Sequence, residues 1–278
     1  MENFEGKISV IMPAYNEGAG VVAAVSETVR VLEQSGCDHE IVVVDDGSND
    51  DTALAIERAK ADWSRVHFVK NGTNNGKGHA LLSGYRLASG DLVAFLDADL
   101  DLHPNQLDSL YSVMVENGAD VVVGSKRHPE SQVDYPLRRR IMSEIYYCVT
   151  RVLFRLPVRD TQTGIKLFKR QVLDEVFPRI VVKKYAFDLE VLVNACHRNY
   201  KIVEAPIQLD FHGKFGRIRF RDIWNMLMDT AAIFYRLHVL KYYDKGAGVE
   251  AELQSEAVAP NTYQETKGTD KESELFCS

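Results

Sequence analysis

Residues 92–101 read LVAFLDADLD. The run from Leu92 to Leu96 is wholly apolar, as in a buried strand, and carboxylates follow at once at Asp97, Asp99 and Asp101. Packing alone does not account for a strand that halts in alternating acids. Buried unpaired carboxylates are expensive, and ionised ones need a cation or a hydrogen-bond network. Hard oxygen ligands on this spacing suit Mg²⁺ or Mn²⁺, which commonly also hold substrate phosphates. The plain alternative is a strand end whose solvated acids cap the next helix. An Asp-x-Asp tripeptide does not choose between the two, so the flanking sequence must.

On the N-terminal side, residues 7–12 (KISVIM) read as a first strand, broken at Pro13-Ala14-Tyr15-Asn16-Glu17. Residues 19–35 carry Val21, Val25, Val29 and Leu32 at helical spacing, and Gly36 ends the helix. Residues 40–44 form a second strand closed by Asp45-Asp46-Gly47-Ser48, and Asp50 or Asp51 caps a helix to about residue 60. A strand at 66–70 is followed by a glycine- and asparagine-rich loop at 71–78 and a helix at 80–88. On the C-terminal side Pro104 opens a helix and residues 120–124 make a strand. This alternation predicts an α/β fold: a mainly parallel, Rossmann-like sheet flanked by helices. Ligands in such sheets bind beyond the carboxyl ends of the strands. Tyr15 to Glu17, Asp45-Asp46 and the acids at 97–101 all fall there.

The second half reads differently. Residues 137–156 space Ile141, Ile145, Val149, Val152 and Leu156 among arginines, a basic amphipathic helix. Strands are expected at 164–169 and 202–209, and a helix at 187–198. Residues 220–240 form a long apolar helix interrupted by Asp222, Asp229 and Arg236. Both amphipathic helices could lie on a bilayer surface or pack inward. From residue 245 the chain turns acidic and poor in large apolar groups, so 1–244 reads as the catalytic domain and 245–278 as a disordered tail.

The net charge of −7 argues against nucleic-acid binding. Residues 126–170 run the other way, with eleven Lys/Arg against four acids, and are expected to face an anion. The four cysteines show no paired spacing, which suits a reducing cytoplasm. No signal sequence and no spanning helix are expected. The nicotinamide glycine fingerprint and the P-loop are both missing. Lys77, in Asn75-Gly76-Lys77-Gly78, is either a solvated turn residue or a contact to a nucleotide diphosphate. Asp45 or Asp46 can accept hydrogen bonds from ribose or base. A diphosphate between them and a metal at 97–101 predicts a nucleoside-diphosphate sugar.

These motifs carry a resemblance: VIMPAYNEG (10–18), IVVVDDGSNDDT (41–52), NNGKGHAL (74–81), VAFLDADLDLHP (93–104), VVVGSKR (121–127), RDTQTGIKLFKR (159–170), FDLEVL (187–192) and IVEAPIQL (202–209). The chain resembles the family 2 glycosyltransferases of GT-A fold, in particular the dolichyl-phosphate mannose and glucose synthases and bacterial polyprenyl-phosphate relatives. The resemblance implies that Pro13, Ala14, Tyr15 and Glu17 frame base and ribose, with Asp45 and Asp46 on the nucleoside. Asp97 and Ala98 would lie near the ribose–diphosphate. Asp99 would bind Mg²⁺ or Mn²⁺ with help from Asp101, and Arg127 would meet the donor phosphates. Arg139 and Ser143 would hold the acceptor phosphate, with Arg217 in HGKFGRIR as a further anchor. Asp160 would orient the acceptor or act as a weak base, or else pair with a basic neighbour. Asp188 and Glu190 stand where other family members hold a base, though Asp188 could equally cap its helix.

The expected reaction is inverting transfer of mannose or glucose, from GDP-mannose or UDP-glucose, to a polyprenyl phosphate lipid. A family 2 enzyme with a soluble or polysaccharide acceptor, and a non-catalytic nucleotide-sugar-binding protein, are the alternatives. The expected setting is cytoplasmic, peripheral on the cytoplasmic membrane face, with homo-oligomerisation left open.

Overall fold

Along strand β1 (Lys7–Ala14) and strand β2 (Asp38–Asp45) successive side chains go to opposite faces. Ile8, Val10, Met12, Ile41 and Val43 join one apolar cluster, and Ile11, Val42 and Val44 join another. Both faces are buried, which is why these strands read as unbroken apolar runs. Helices α1 (Gly20–Ser35), α2 (Thr52–Ala59) and α4 (Gln106–Asn117) cover the first face. Helices α3 (Lys77–Tyr85), α6 (Arg170–Val176) and α7 (Phe187–His197) cover the second. The computed structural model describes residues 1, 4–60, 63–133, 137–210 and 220–244, with backbone alone at 137–139, 141 and 220. The 245–278 segment, Arg217 and the Arg139 side chain lie outside the described residues.

The main sheet adds β3 (Val66–Lys70), β4 (Leu92–Phe95), β5 (Val121–Ser125), β7 (Lys166–Lys169) and β8 (Ile202–Pro206). Its order is β3-β2-β1-β4-β7-β5-β8. The chain steps outward from β1 to β3, then returns to place β4 on the other side of β1. A crevice between their carboxyl ends is the expected ligand position. All pairings in this sheet are parallel except those of β7, which is antiparallel to both neighbours, with Lys166 opposite Phe95 and Val123.

Three expectations need correcting. Helix α3 starts at Lys77, not residue 80: Gly76 at φ 99° turns the chain, and Gly78 tucks into the first turn under the Phe187 ring. The single strand at 202–209 is two, because Pro206 has no N–H for the ladder; β9 (Gln208–Leu209) leaves the main sheet and pairs with β6 (Gln132–Val133). The helix α6 that follows β7 directly was not anticipated.

Helices α5 (Leu137–Phe154) and α8 (Phe220–His238) pack on one another through the Tyr146 and Thr230 hydroxyls, 3.2 Å apart, and the Phe154–Phe234 rings. Each leaves an apolar stripe bare: Ile145 and Val152 on α5, the latter 77% exposed, and Trp224, Leu227, Met228 and Tyr235 on α8. Among the described residues no helix is long and apolar enough to cross a membrane.

Candidate active site

Because β1, β2 and β4 run parallel, Ala14 stands opposite Asp45 and the acids after Phe95 emerge at the same edge. A cavity of about 330 Å³ opens there. It brings together Pro13, Ala14, Tyr15, Glu17, Asp46, Lys77, Asp97, Ala98 and Asp99 from the expected set, and adds Asn74, Gly76 and Ala80. Asp45 and Asp101 are not on its wall.

The rim is built from loops tied to each other. Asn16, at φ 56°, donates its N–H to Ser48 Oγ at 2.9 Å and accepts the Asn49 N–H at 2.9 Å. The Glu17 and Gly18 N–H groups both donate to Thr52 Oγ1. The two neighbouring acids after β2 have separate tasks. Asp46 accepts from Asn71 Nδ2 at 2.9 Å and from the Gly76 N–H at 2.7 Å, so it pins the 71–76 loop to the cavity. Asp45 accepts the Ser48 N–H through Oδ1, while its buried Oδ2 has no partner among the described residues.

Negative charge dominates the cavity floor. Desolvation, then the Asp97 carboxylate, pushes the Asp99 carboxyl up to about 6, although the residue sits at the open mouth. Glu17 is also raised, by burial and then by Asp99 and Asp97. Leu100 at φ 60° forces a tight turn between Asp99 and Asp101, and the Asp101 N–H donates to Asp99 Oδ1 at 3.1 Å. Lys77 is the cation on this wall, 2.5 Å from Asp97 Oδ1. Burial opposes its charge, but Asp97 and Asp188 outweigh burial and hold its ammonium above the usual lysine range. Gly164 closes the floor: a Cβ there would strike the Asp97 carboxyl.

Among the described residues no group of three or more His, Cys, Asp and Glu forms a ready-made metal cage. Crowded carboxylates that resist ionisation still fit a hard divalent cation. Such an ion commonly takes one or two carboxylates and completes its shell with water and substrate phosphate.

Arg127 is not on the wall of the acid-rimmed cavity; it is paired with Glu144, donates to Ser143 Oγ at 2.9 Å and is stacked 5.0 Å over the Tyr147 ring. Arg127, from the loop after β5, thus meets Ser143 on α5. A groove of about 650 Å³ runs beside it, lined by Lys126, Arg127, His128, Arg140, Arg151 and Arg159 among others. It continues past Tyr147 and Arg151 to Arg155. Residues 126–170 supply most of the basic side chains of this groove, a cavity apart from the acids.

Asp160 takes the second of its two expected readings and pairs with a basic neighbour, Lys126, whose Nζ lies 3.7 Å from Oδ2. It is buried, accepting the Lys126 N–H at 3.2 Å and the Gln162 N–H at 3.1 Å. Burial works against its charge, yet Lys126 and these bonds hold its carboxyl below the usual range. It shapes the turn before β7. Its neighbour Arg159 turns to Glu204, whose Oε1 accepts both the Arg159 and Asp160 N–H groups. Asp188 does not cap α7; it pairs with the buried Lys166 at 2.6 Å. Lys166 also donates to the Thr163 carbonyl at 2.5 Å, fixing the turn that carries Gly164. Sequence reasoning missed Lys166 because it reads as an ordinary strand lysine.

The acid-rimmed cavity lies at the switch point of a mainly parallel sheet. Glucosyl-3-phosphoglycerate synthase from Mycobacterium tuberculosis, solved with Mn²⁺, UDP-glucose and phosphoglyceric acid, shares this fold. Its TM-score is 0.61 over 83% of this chain and 79% of its own, at 20% identity. The family model for glycosyl transferase family 2 matches residues 9–177, more than half of the chain, and the chain belongs to that family. A dolichyl-phosphate beta-glucosyltransferase of Trichomonas vaginalis is 31% identical over 255 residues, 86% of this chain and 76% of its own. Glycosyltransferase AglD of Haloferax volcanii is 28% identical over 235 residues; the match spans 84% of this chain and 38% of that protein's length.

Proposed function

We propose that this protein transfers a hexose, glucose in the first instance, from a nucleoside-diphosphate sugar to a polyprenyl phosphate, with inversion at the anomeric carbon. The observation that carries this reading is the pairing of an acid-rimmed cavity holding Lys77 with a separate basic groove along α5. The relatives named for dolichyl-phosphate glucosyl transfer support the sugar and the acceptor.

In this reading Pro13, Ala14, Tyr15, Glu17 and Asp46 frame the nucleoside, and the buried Asp45 holds the turn at Ser48 behind them. Lys77 leaves Asp97 for the donor diphosphate. Asp99, with Asp97 and Asp101 beside it, would hold Mg²⁺ or Mn²⁺, which when bound supplies Lewis-acid neutralisation of the leaving diphosphate. The basic groove, with Arg127 on its wall and Ser143 of α5 hydrogen-bonded to Arg127, holds the acceptor phosphate. An anionic phosphate is already a nucleophile, so no base is required, in keeping with the tied-up Asp160. The bare stripes on α5 and α8, beside Arg140, Arg151 and Arg155, suit a peripheral contact with an anionic bilayer. Each such cation is worth about 1 kcal/mol near the surface.

The test is incubation with radiolabelled UDP-glucose or GDP-mannose, Mn²⁺, and either polyprenyl phosphate or the free polyprenol. Label in the organic phase with the phosphate alone is expected, and Asp99→Asn should abolish it. Transfer only to a water-soluble acceptor would sink the proposal.

A further inference from the structure

The cavity wall that carries Lys77 is held from behind by residues 181–187. A Cβ on Gly76 would fall 2.8 Å from the Lys183 carbonyl oxygen, and one on Gly78 would fall 2.7 Å from Phe187 Cβ. The His79 N–H donates to that same Lys183 carbonyl at 3.3 Å. No side chain fits between this segment and the first turn of α3, so a shift of the segment moves the backbone of Lys77.

A buried carboxylate fastens the segment. Glu190 on α7 is wholly buried. Its Oε2 accepts the N–H groups of Val181 at 3.0 Å and Val182 at 2.7 Å. Its Oε1 accepts from Arg236 Nη2 at 2.9 Å and from the Tyr243 hydroxyl at 2.5 Å. Arg236 lies in the last turn of α8, and Tyr243 in the short turn that follows it. A second link runs from the Tyr185 hydroxyl to Asp222 Oδ1, at 2.9 Å, in the first turn of α8.

Both oxygens of Glu190 are saturated by donors, so it has no lone pair to spare for substrate. What it joins is specific: one oxygen grips the segment behind the donor cavity and the other grips the far end of α8. We infer that Glu190 is a positioning residue for the donor site, making the seating of α8 and its following turn part of what sets Gly76-Lys77-Gly78. This rests on the proposed donor role of the cavity. It adds that the donor and α8 sense one another through the buried Glu190 carboxylate, with the Tyr185–Asp222 bond as a second link.

The experiment is isothermal titration of the full chain with UDP and with GDP, each with Mn²⁺, alongside donor and acceptor KM. Glu190→Gln keeps only one acceptor oxygen, so its NH2 group must face either the Val181 and Val182 N–H groups or Arg236 and Tyr243, and one side of the link is lost. It should weaken nucleotide binding and raise donor KM by about tenfold, the order expected for bonds lost to a charged group, with acceptor KM unchanged. Tyr243→Phe removes one remote donor and keeps the carboxylate. It should weaken nucleotide binding by about threefold, and it decides the matter if Glu190→Gln does not fold. Nucleotide affinity unchanged in the folded variants, with only a lower melting temperature, would overturn the inference and leave Glu190 as a fastening for α8. Failure of the wild-type chain to bind either nucleotide would overturn the donor reading itself, and the inference with it.

Discussion

At the scale of single residues, the Asp97 carboxyl is confined from two sides. Lys77 holds one oxygen at 2.5 Å, and Gly164 leaves room for the other only because it has no Cβ. Gly164→Ala should therefore swing Asp97 off Lys77. Since the atom displaced is the end of a side chain and not backbone, stability should change by under about 1 kcal/mol. The kcat/KM with donor should fall at least about tenfold, as expected for a misplaced group at the reacting centre. Thermal melts beside donor kinetics check this; activity retained at wild-type level would show that Asp97 is not set by Gly164. The acids themselves were legible in the sequence, because the packing of a buried strand gives no reason for it to end in alternating carboxylates. Arg127 was not legible as to direction. Its motif fixes the loop after β5, but which way the guanidinium turns depends on Glu144, Ser143 and Tyr147 on a helix that the loop does not contain.

Among the elements, the strands were read nearly to their ends, since full burial leaves an apolar run with clear stops. The reversed direction of β7 was not readable: four residues, KLFK, carry no sign of parallel or antiparallel pairing. The opposite edge of the sheet depends on Glu40, at the start of β2. It accepts from Lys7 Nζ and Ser9 Oγ on β1, both at 2.6 Å, and from the Ser89 N–H before β4, also at 2.6 Å. Burial alone would raise its pKa, but these donors win and hold it at about 2. A depressed carboxylate stabilises the fold above its unfolded value, and that contribution disappears as pH falls through the folded one. Glu40→Gln should then cost about 2 kcal/mol at pH 7. The gap between variant and wild type in urea titrations should close between pH 4.5 and about 2. A gap independent of pH would rule out the charge as its origin.

For the molecule as a whole, the two cavities lie on segments that β7 brings to one edge. Had β7 run parallel, the turn before it, with Asp160 and Gly164, would have emerged at the far end of the sheet from Asp97. Its place between β4 and β5 also sets an order of events during synthesis. When the ribosome has made β1 to β5, the sheet has β4 as an open edge, and β5 has neither of its neighbours β7 and β8. Unpaired edges of this kind attract other chains. Protease-resistant structure on stalled nascent chains should thus appear in β1 to β4 early. It should reach β5 and the cavity floor only after residue 169 has cleared the exit tunnel. Uniform resistance in chains stalled just past β5 would contradict this. The nascent chain therefore passes through a vulnerable interval of some forty residues, from the end of β5 to the end of β7, in which the acids already exist but the wall that orients them does not. Mutations in the 126–165 stretch that slow its passage should damage the yield of folded protein before they damage its chemistry.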